Sequence, residues 1–289
     1  MPKTATETEA IATRSRGTRR RPRPTVVRTG NPLTRTAPRR WALRIAFLIL
    51  LLVSWQLYAN TVSRALLSGP VEIARSFWVL FVENPGPMWE ALGTTAYALI
   101  LGLVLAIAIG IVVGVLMGVS KHFEWVVGPY IAFIFSIPSI ALIPLLIVWL
   151  GIDVQLRVFL VIISAVFPVI INTAAGVKNA AGEMVEAATS FNATSWQTIV
   201  TVKFPAALPF IFAGVNQALS LALAGVIVAE MTATITGLGG LIITYANFFQ
   251  TANLFVPILT LMAASVALTA FVGWLERVTM PWHTARNRP

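Results

Sequence analysis

Long stretches without a charged residue dominate the chain after residue 44. A helix needs about 20 apolar residues to cross the hydrocarbon core of a bilayer, which is roughly 30 Å thick. Six stretches meet this requirement: 45–63, 91–120, 125–152, 158–177, 204–229 and 255–275. Residues 231–254 are also uncharged, but the glycines and amides in "GLGGLIITYANFFQTAN" favour a loop or a short interfacial helix before the last span. The pattern therefore predicts six transmembrane helices.

The composition agrees with this prediction. Hydrophobic residues make up 57% of the chain, charged residues only 11%, and the mean hydropathy is +0.81, whereas soluble domains carry about 25% charged residues. We therefore predict an all-α, polytopic membrane protein. The absence of cysteine excludes disulfides, thiolate metal ligands and a thiol nucleophile. Two distant histidines, His122 and His283, give little basis for a zinc site.

Basic residues are concentrated at the N-terminus. Twelve of the 21 lysines and arginines lie in the first 44 residues, including the run "RRRPRP". With few apolar residues, this segment predicts a disordered basic tail over 1–40. Nucleic-acid binding is one interpretation of the tail, but attraction to anionic lipid and orientation in the membrane explain it more simply. The tail lacks the pattern of a cleaved signal peptide.

The loop charges predict the orientation. With a cytoplasmic N-terminus, 18 basic residues fall on the cytoplasmic side, and the outer side holds only three: Arg64, Arg75 and Arg157. Because cytoplasmic loops carry the excess of lysine and arginine, both termini are predicted to be cytoplasmic. The expected organisation is the basic tail at 1–40, a membrane domain at 41–280 and a C-terminal tail at 281–289.

One polar segment, "EMVEAATSFNATSWQTIVTVKFPAALP" at 183–209, separates the fourth and fifth spans on the predicted cytoplasmic side. Met184, Ala187, Ala188 and Phe191 share one apolar helical face. The small alanines would let another surface approach closely, which suits a docking element. The alternative is an ordinary amphipathic loop that lies on the lipid headgroups.

The rest of this segment predicts a turn and a second short helix. Asn192 tolerates the left-handed conformation that ends helices. Thr194 or Ser195 can cap a helix at 196–202. Two prolines are expected to break the backbone before the fifth span: Pro205 and Pro209.

The segment resembles the cytoplasmic loop of binding-protein-dependent ABC importer permeases, which has the form EAA, three residues, G, nine residues, I-x-L-P. Glu186, Ala187 and Ala188 match the EAA, and Asn192 stands at the glycine position. Nine residues later, "VKFP" at 202–205 matches I-x-L-P with two conservative changes. Asparagine can make the same turn as glycine, because the requirement is on backbone dihedral angles.

Four further stretches resemble, in order, the nitrate, sulfonate and taurine branch of this family. They are "LLSGPVEIARSF", "PYIAFIFSIPSIALIPLLIVWLGI", "FPVIINTAAGVKN" and "VIVAEMTATITGLGGLI". With the loop, the resemblance covers about residues 67–276. It implies the fold of a type I ABC importer permease in the plasma membrane of a prokaryote.

The resemblance also implies partners. Two permease copies, expected as a homodimer, pair with two cytoplasmic ATPase subunits and an extracytoplasmic solute-binding protein. The chain has no GxxxxGK[ST] phosphate-binding loop, so ATP and Mg²⁺ are expected on the ATPase, and neither enzymatic activity nor a cofactor or metal is expected here. The family pattern assigns ATPase coupling to these residues: Glu186, Ala187, Ala188, Phe191, Asn192, Val202, Phe204 and Pro205.

Polar groups and prolines within the spans are candidates for the translocation path or gate, because such groups usually face a partner helix or water. The candidates are Ser136, Pro138, Ser139, Asn172, Asn216, Gln217, Ser220 and Glu230. Plain helix packing is the alternative for each. Glu230 either binds a helix-end donor at the outer gate or is an ordinary interfacial residue. The glycines at 102, 110, 114 and 118 predict close packing of the second span.

Two other classes of function fit the sequence less well. A gradient-driven secondary transporter is expected to show inverted repeats and intramembrane charges, and a membrane-embedded enzyme needs a cluster of His, Asp or Glu. The six uncharged runs argue against both. The solute stays open among nitrate, taurine, alkanesulfonates, pyrimidine vitamin precursors and riboflavin. An anion importer is expected to offer Arg or Lys at the pore, and the predicted spans offer neither.

Overall fold

The computed structural model describes residues 37–180, 182–234 and 236–280. Residues 1–36 of the predicted basic tail and the whole predicted tail at 281–289 lie outside this part. All regular secondary structure in the described residues is helical. The chain divides into two units, Met1–Leu50 and Leu51–Pro289, and the described residues of the first unit, 37–50, form the beginning of the first helix.

In chain order the helices are α1 (Ala37–Ala59), α2 (Pro70–Trp78), α3 (Gly86–Val119), α4 (Lys121–Phe135), α5 (Ile143–Leu150), α6 (Val154–Lys178), α7 (Gly182–Ser190), α8 (Ser195–Thr198), α9 (Phe204–Ala229), α10 (Gly237–Asn247) and α11 (Thr251–Thr279). In the described residues five helical runs are long and apolar enough to cross a membrane, or six if α4 and the helix after it form one bent span. This agrees with the predicted spans in number and order.

The third span is bent by 84° between α4 and the following helical stretch. The break lies at Ser136–Pro138, and a 3₁₀ turn (Ser139–Leu142) leads into α5. Proline has no N–H to continue the hydrogen-bond ladder of α4, which accounts for the bend at Pro138. Pro144 does not kink the span, because it lies in the first turn of α5, where a helix tolerates proline.

Helix α6 packs between α3 and α9. The glycines of α3 allow the close approach: a Cβ atom on Gly110 would lie 2.6 Å from Cβ of Val169, and one on Gly114 would lie 2.6 Å from Cβ of Thr173. Gly118 faces Val177 in the same way. Small residues are the usual means of bringing membrane helices together, so the predicted packing role of these glycines is confirmed.

Helix α6 begins four residues earlier than predicted. The side chain of Asp153 accepts a hydrogen bond of 2.7 Å from the N–H of Val154 and caps the helix. The additional residues place Arg157 in the first turns of α6, where its side chain is buried. The prediction that Arg157 lies in an outer loop is therefore wrong.

A single helical run of 39 residues, Ser195–Ala233, joins the polar segment to the fifth span. The prediction that Pro205 and Pro209 break the backbone is wrong. Pro205 lies in the first turn of α9, directly after a π-helical turn (Ile199–Lys203) in which Phe204 N–H donates to Ile199 C=O. In the π turn the hydrogen bonds join residues five apart instead of four. This shift lets the helix continue through Pro205, although proline has no N–H to donate. Pro209 lies inside α9.

Of the two alternatives predicted before the last span, a loop or a short helix, the structure has the helix, α10. A tight turn connects α10 to α11, and in it Phe249 has a φ angle of 54°. Helix α10 packs on α11 and α3, and α2 packs on α11.

Candidate functional site

Helix α7 presents its apolar face to the outside of the chain. Met184 is 61% exposed and Phe191 is 85% exposed, while Ala187 is exposed and Ala188 is half-buried. Trp196, at the start of α8, is 72% exposed. The apolar face predicted from the sequence is therefore present and has no covering element among the described residues. Exposed apolar side chains in an otherwise polar segment are typical of interaction surfaces, so this face is suited to contact a protein partner.

The connection between α7 and α8 has the geometry that the sequence predicts. Asn192 has a φ angle of 57°, which is the left-handed region that asparagine tolerates. The N–H of Ala193 donates to the C=O of Ala188 over 3.0 Å and closes the end of α7. Of the two proposed caps, Thr194 is the one used: it forms a capping box with Gln197.

The eight predicted coupling residues fall into two groups. Glu186, Ala187, Phe191 and Asn192 are exposed and Ala188 is half-buried on α7 and its turn. Three residues are half-buried in the run that leads into the fifth span: Val202, Phe204 and Pro205. Phe204 packs against the core formed by α3, α6 and α9. The second group therefore anchors the polar segment to the helix bundle, and the first group is accessible.

A polar contact lies between α6 and α9, on the side of α9 that the rest of the chain leaves exposed. The side-chain amide of Asn172 donates to the C=O of Pro168 over 2.8 Å and to Oε1 of Gln217 over 3.4 Å. Gly214 allows the contact, because a Cβ there would lie 2.9 Å from Cβ of Asn172. Two of the predicted path residues, Asn172 and Gln217, are thus brought together.

A cavity of about 250 Å³ lies at the break in the third span, between it and α6 and α9. Pro138, Ser139, Ser164, Leu221 and Ala224 are among its lining residues. The hydroxyl of Ser164 donates to Oγ of Ser139 over 3.2 Å. Ser139 and Pro138 were predicted for the path, whereas Ser164 was not. A lone serine in an apolar span has no signature of its own, although Ser164 lies about two helical turns before Asn172.

Three other path candidates do not join these contacts. Ser136 Oγ donates to the C=O of Ala132 over 2.8 Å, within its own helix. Ser220 Oγ donates to the C=O of Asn216 over 3.5 Å. The side-chain oxygen of Asn216 is buried, and no described group donates to it.

Glu230 is fully buried and belongs to a separate network. Its carboxylate accepts hydrogen bonds from Thr95 Oγ1 at 2.8 and 2.9 Å and from the N–H of Gly239 at 3.0 Å. Thr95 Oγ1 in turn accepts from the N–H of Leu238 over 2.9 Å. Glu230 and Thr95 therefore satisfy free N–H groups at the start of α10. Of the two interpretations of Glu230, binding to helix-end donors is the one the structure supports.

Arg157 completes this network. Its Nη1 lies 3.6 Å from Oε1 of Glu230, and the residue is only 4% exposed. Nε and Nη1 of Arg157 have no hydrogen-bond partner among the described groups. The prediction that the spans offer neither Arg nor Lys is therefore wrong, because α6 carries the buried guanidinium of Arg157. Asp153, a helix-capping residue, is the sequence signal that could have placed Arg157 inside α6.

No group of three or more His, Asp or Glu side chains capable of holding a metal ion occurs in the described ranges. Two of the ion pairs in the described residues lie near the ends of the long helices. One joins Lys178 to Glu124, at the α7 end of the bundle. The other is the buried pair of Arg157 and Glu230.

Comparison with known proteins identifies a family and several relatives of this chain. Residues 106–281 match the family described as "Binding-protein-dependent transport system inner membrane component". SsuC of Escherichia coli strain K12, named as a candidate aliphatic sulfonates transport permease protein, is 34% identical over 255 residues, covering 86% of this chain and 96% of SsuC. The riboflavin transport system permease protein RibX of Chloroflexus aurantiacus is 35% identical over 265 residues, covering 88% of this chain and 98% of RibX.

The fold is similar to that of a chain in an inward-facing structure of the MetNI methionine ABC transporter. The TM-score is 0.57 at 17% sequence identity, over 70% of this chain and 96% of that chain. Named permeases for taurine and nitrate also match. The chain therefore belongs to the binding-protein-dependent family of inner membrane transport components and is a multi-pass permease subunit of an ABC importer, in the branch of sulfonate, taurine and nitrate permeases.

Proposed function

We propose that this permease subunit is driven by a separate cytoplasmic ATPase that docks on α7. The observation that carries the proposal is the exposed apolar face of α7, with Met184 and Phe191 outward and small alanines between them. Large apolar side chains exposed in a polar segment are typical of a protein–protein interface. The match of this segment to the EAA loop supports the same partner.

The continuous helix from Ser195 to Ala233 supports a direct transmission of movement. Because α8 continues into α9 without a break, a displacement of α7 and α8 acts on a helix that is packed along α6. Packed helices respond as rigid bodies with discrete arrangements rather than by gradual deformation. ATP binding and hydrolysis on the partner, with Mg²⁺, would thus drive the spans between two packings.

We place the translocation path along the exposed side of α6 and α9. The hydrogen-bonded pair of Asn172 and Gln217 and the hydroxyls of Ser139 and Ser164 lie there. Polar groups on this side gain a partner or a water-filled path if a second copy of the chain faces them. A homodimer with the path between the two copies is therefore the arrangement we favour, with both termini in the cytoplasm, as the loop charges indicate.

The proposed solute is a small molecule or ion of the nitrate, sulfonate or taurine class, delivered by an extracytoplasmic binding protein. The similarity to SsuC supports a sulfonate. A second candidate is riboflavin or a pyrimidine vitamin precursor, because RibX is 35% identical to this chain and a formylaminopyrimidine permease also matches. The binding protein performs most of the selection in this class of importer, so its ligand distinguishes the two candidates.

The test is a pull-down of the tagged chain from its native membrane in mild detergent, with mass spectrometry of the proteins that accompany it. An ATPase subunit is expected with the parent chain and not with Ala187→Asp, which puts a charge into the apolar face of α7. Thr189→Asp is the matched control, since it adds the same charge on the opposite side of α7. The ATPase is expected to remain with this control.

Two results would contradict the docking proposal: no ATPase with the parent chain under conditions that keep other membrane complexes intact, or equal recovery with both variants. Glu186→Lys is expected to leave the chain in the membrane and to abolish transport. The binding protein recovered or encoded with the chain is then tested by thermal shift with sulfonates, taurine, nitrate, riboflavin and pyrimidines. Stabilisation by riboflavin or a pyrimidine alone would replace the assignment to the nitrate, sulfonate or taurine class.

A further inference from the structure

An open cleft of about 940 Å³ lies beside α7, on the side away from its exposed apolar face. Its walls come from the junction of α3 and α4, the end of α6, the first turns of α7 and the π turn before α9. The cleft is separate from the cavity at the break in the third span, with which it shares no lining residue. Of the residues discussed above for ATPase coupling, Glu186 alone lines it.

Three lysines from three separate parts of the chain meet at this cleft: Lys121 at the start of α4, Lys178 at the end of α6, and Lys203 before α9. Lys178 is paired with Glu124. Among the described side chains, Lys121 and Lys203 form no ion pair. Glu186 is the only other acidic residue of the wall, so the lining keeps a positive excess of one charge.

The remaining wall is apolar and includes Met117, Val177 and Val185. Trp125 stands at the cleft with 82% of its surface exposed. Tryptophan is enriched where a membrane meets water, because its ring is apolar and its N–H is polar. The cleft thus combines cationic groups with an apolar floor at the ends of α3 and α6, two of the helices that are long enough to cross the membrane.

We propose that this cleft binds the headgroup of an anionic phospholipid. The phosphate lies between the ammonium groups of Lys121 and Lys203, and the glycerol and first acyl carbons lie along the apolar wall and Trp125. Basic pockets between membrane helices take such headgroups because the cation attracts the phosphate while the wall replaces water around the acyl chains. A phosphatidylcholine headgroup has no net charge and is expected to bind less well.

The test titrates the purified, delipidated chain with phosphatidylglycerol and, separately, with phosphatidylcholine of the same acyl chains, and counts bound lipids by native mass spectrometry. Phosphatidylglycerol is expected to bind in preference. Lys121→Gln and Lys203→Gln are each expected to weaken its binding about fivefold, the effect of one basic residue at an anionic surface. Arg277→Gln is the matched control, since Arg277 is exposed near the end of α11 and does not line the cleft.

Trp125 gives a second measurement that does not depend on lipid counting. Phosphatidylglycerol with brominated acyl chains is expected to quench tryptophan fluorescence less in Trp125→Phe than in the parent, and less in Lys203→Gln than in Lys203→Arg. Thermal unfolding of each variant establishes that it is folded before binding is compared.

Several outcomes would overturn the proposal. These are equal binding of the two lipids, losses in the lysine variants no larger than in the Arg277 control, or quenching unaffected by Trp125→Phe. Soluble glycerol phosphate supplies the same phosphate without acyl chains and is expected to displace little phosphatidylglycerol. Complete displacement by submillimolar glycerol phosphate would assign the cleft to a soluble anion instead. Because the test needs no ATPase, its failure leaves the docking proposal intact.

Discussion

Replacing Glu230 by glutamine tests whether the buried network at the start of α10 stabilises the fold through charge. The substitution keeps the side chain's size and leaves one oxygen that can still accept from the N–H of Gly239. What it removes is the negative charge opposite Arg157, whose Nη1 lies 3.6 Å from Glu230. Arg157 is buried, and it has no other charged partner in the described part of the chain.

The expected cost follows from that burial. Removing one partner of a buried pair leaves an uncompensated charge and costs about 3–5 kcal/mol. The loss is large beside a total stability of about 5–15 kcal/mol. Arg157→Leu in the Glu230→Gln background removes the second charge, and an apolar replacement of a buried pair is often nearly neutral. We therefore expect the double variant to be more stable than Glu230→Gln alone, with a coupling energy of about 2–3 kcal/mol.

The assay is unfolding in mixed micelles with a rising fraction of SDS, followed by tryptophan fluorescence, for the parent, both single variants and the double variant. The chain offers a matched control on the same predicted side of the membrane. Arg64 Nε lies 2.9 Å from Glu72 Oε1, and Arg64 is exposed. The same cycle with Glu72→Gln and Arg64→Leu is expected to give less than about 1 kcal/mol. A coupling energy for the buried pair no larger than that of the exposed pair would refute the reasoning.

Three further substitutions test local features. Gly114→Ala is expected to cost about 1–3 kcal/mol of stability in the same SDS assay, because its Cβ would lie 2.8 Å from the carbonyl oxygen of Ile170. Gly93→Ala is the control and is expected to be neutral or stabilising, because the space around Gly93 is open. Equal losses of stability in the two variants would contradict the packing role of Gly114. Asn192→Val is expected to cost about 1–2 kcal/mol and to raise the rate of amide hydrogen exchange in residues 188–195. Asn192→Gly is the control and is expected to change neither stability nor exchange in this way. Equal exchange rates in the two variants would show that the left-handed turn is unimportant. Thr194→Ala is expected to cost about 1 kcal/mol and to speed exchange of the amides in α8, with Thr194→Ser as the control that retains the cap.

The number of spans and the form of the polar segment could be predicted because both depend on local properties. An uncharged run of 20 or more residues has one low-energy placement in a bilayer, whichever neighbours it packs against. The turn at Asn192 and the cap at Thr194 follow from the side chains at those positions. The prediction for Pro205 failed because it rested on propensity alone, and a π turn accommodates the proline without ending the helix.

The buried network could not be predicted, because its members are far apart in the sequence. Thr95 and Glu230 are separated by 135 positions, and nothing local to either residue indicates the other. Arg157 was misplaced for a different reason. A charge at the edge of an apolar run is usually in a loop, and only the Asp153 cap moves the helix start past it. Ser164 contacts Ser139, 25 positions away in the sequence, directly after the bend in the third span.

Both ends of α9 are π-helical turns, Ile199–Lys203 at one end and Glu230–Thr234 at the other. A π turn inserts one residue into the helical repeat, so it is a point at which a helix can change direction without losing its whole hydrogen-bond ladder. Between these points α9 is held against α6 by Gly176, Gly214 and Gly225, where almost no free space remains. A displacement of the polar segment must therefore either be absorbed in the first π turn or be carried by α9 to Glu230. There the buried carboxylate holds α10 through Gly239 and α3 through Thr95, so a movement carried that far has to shift three helices together or break the network.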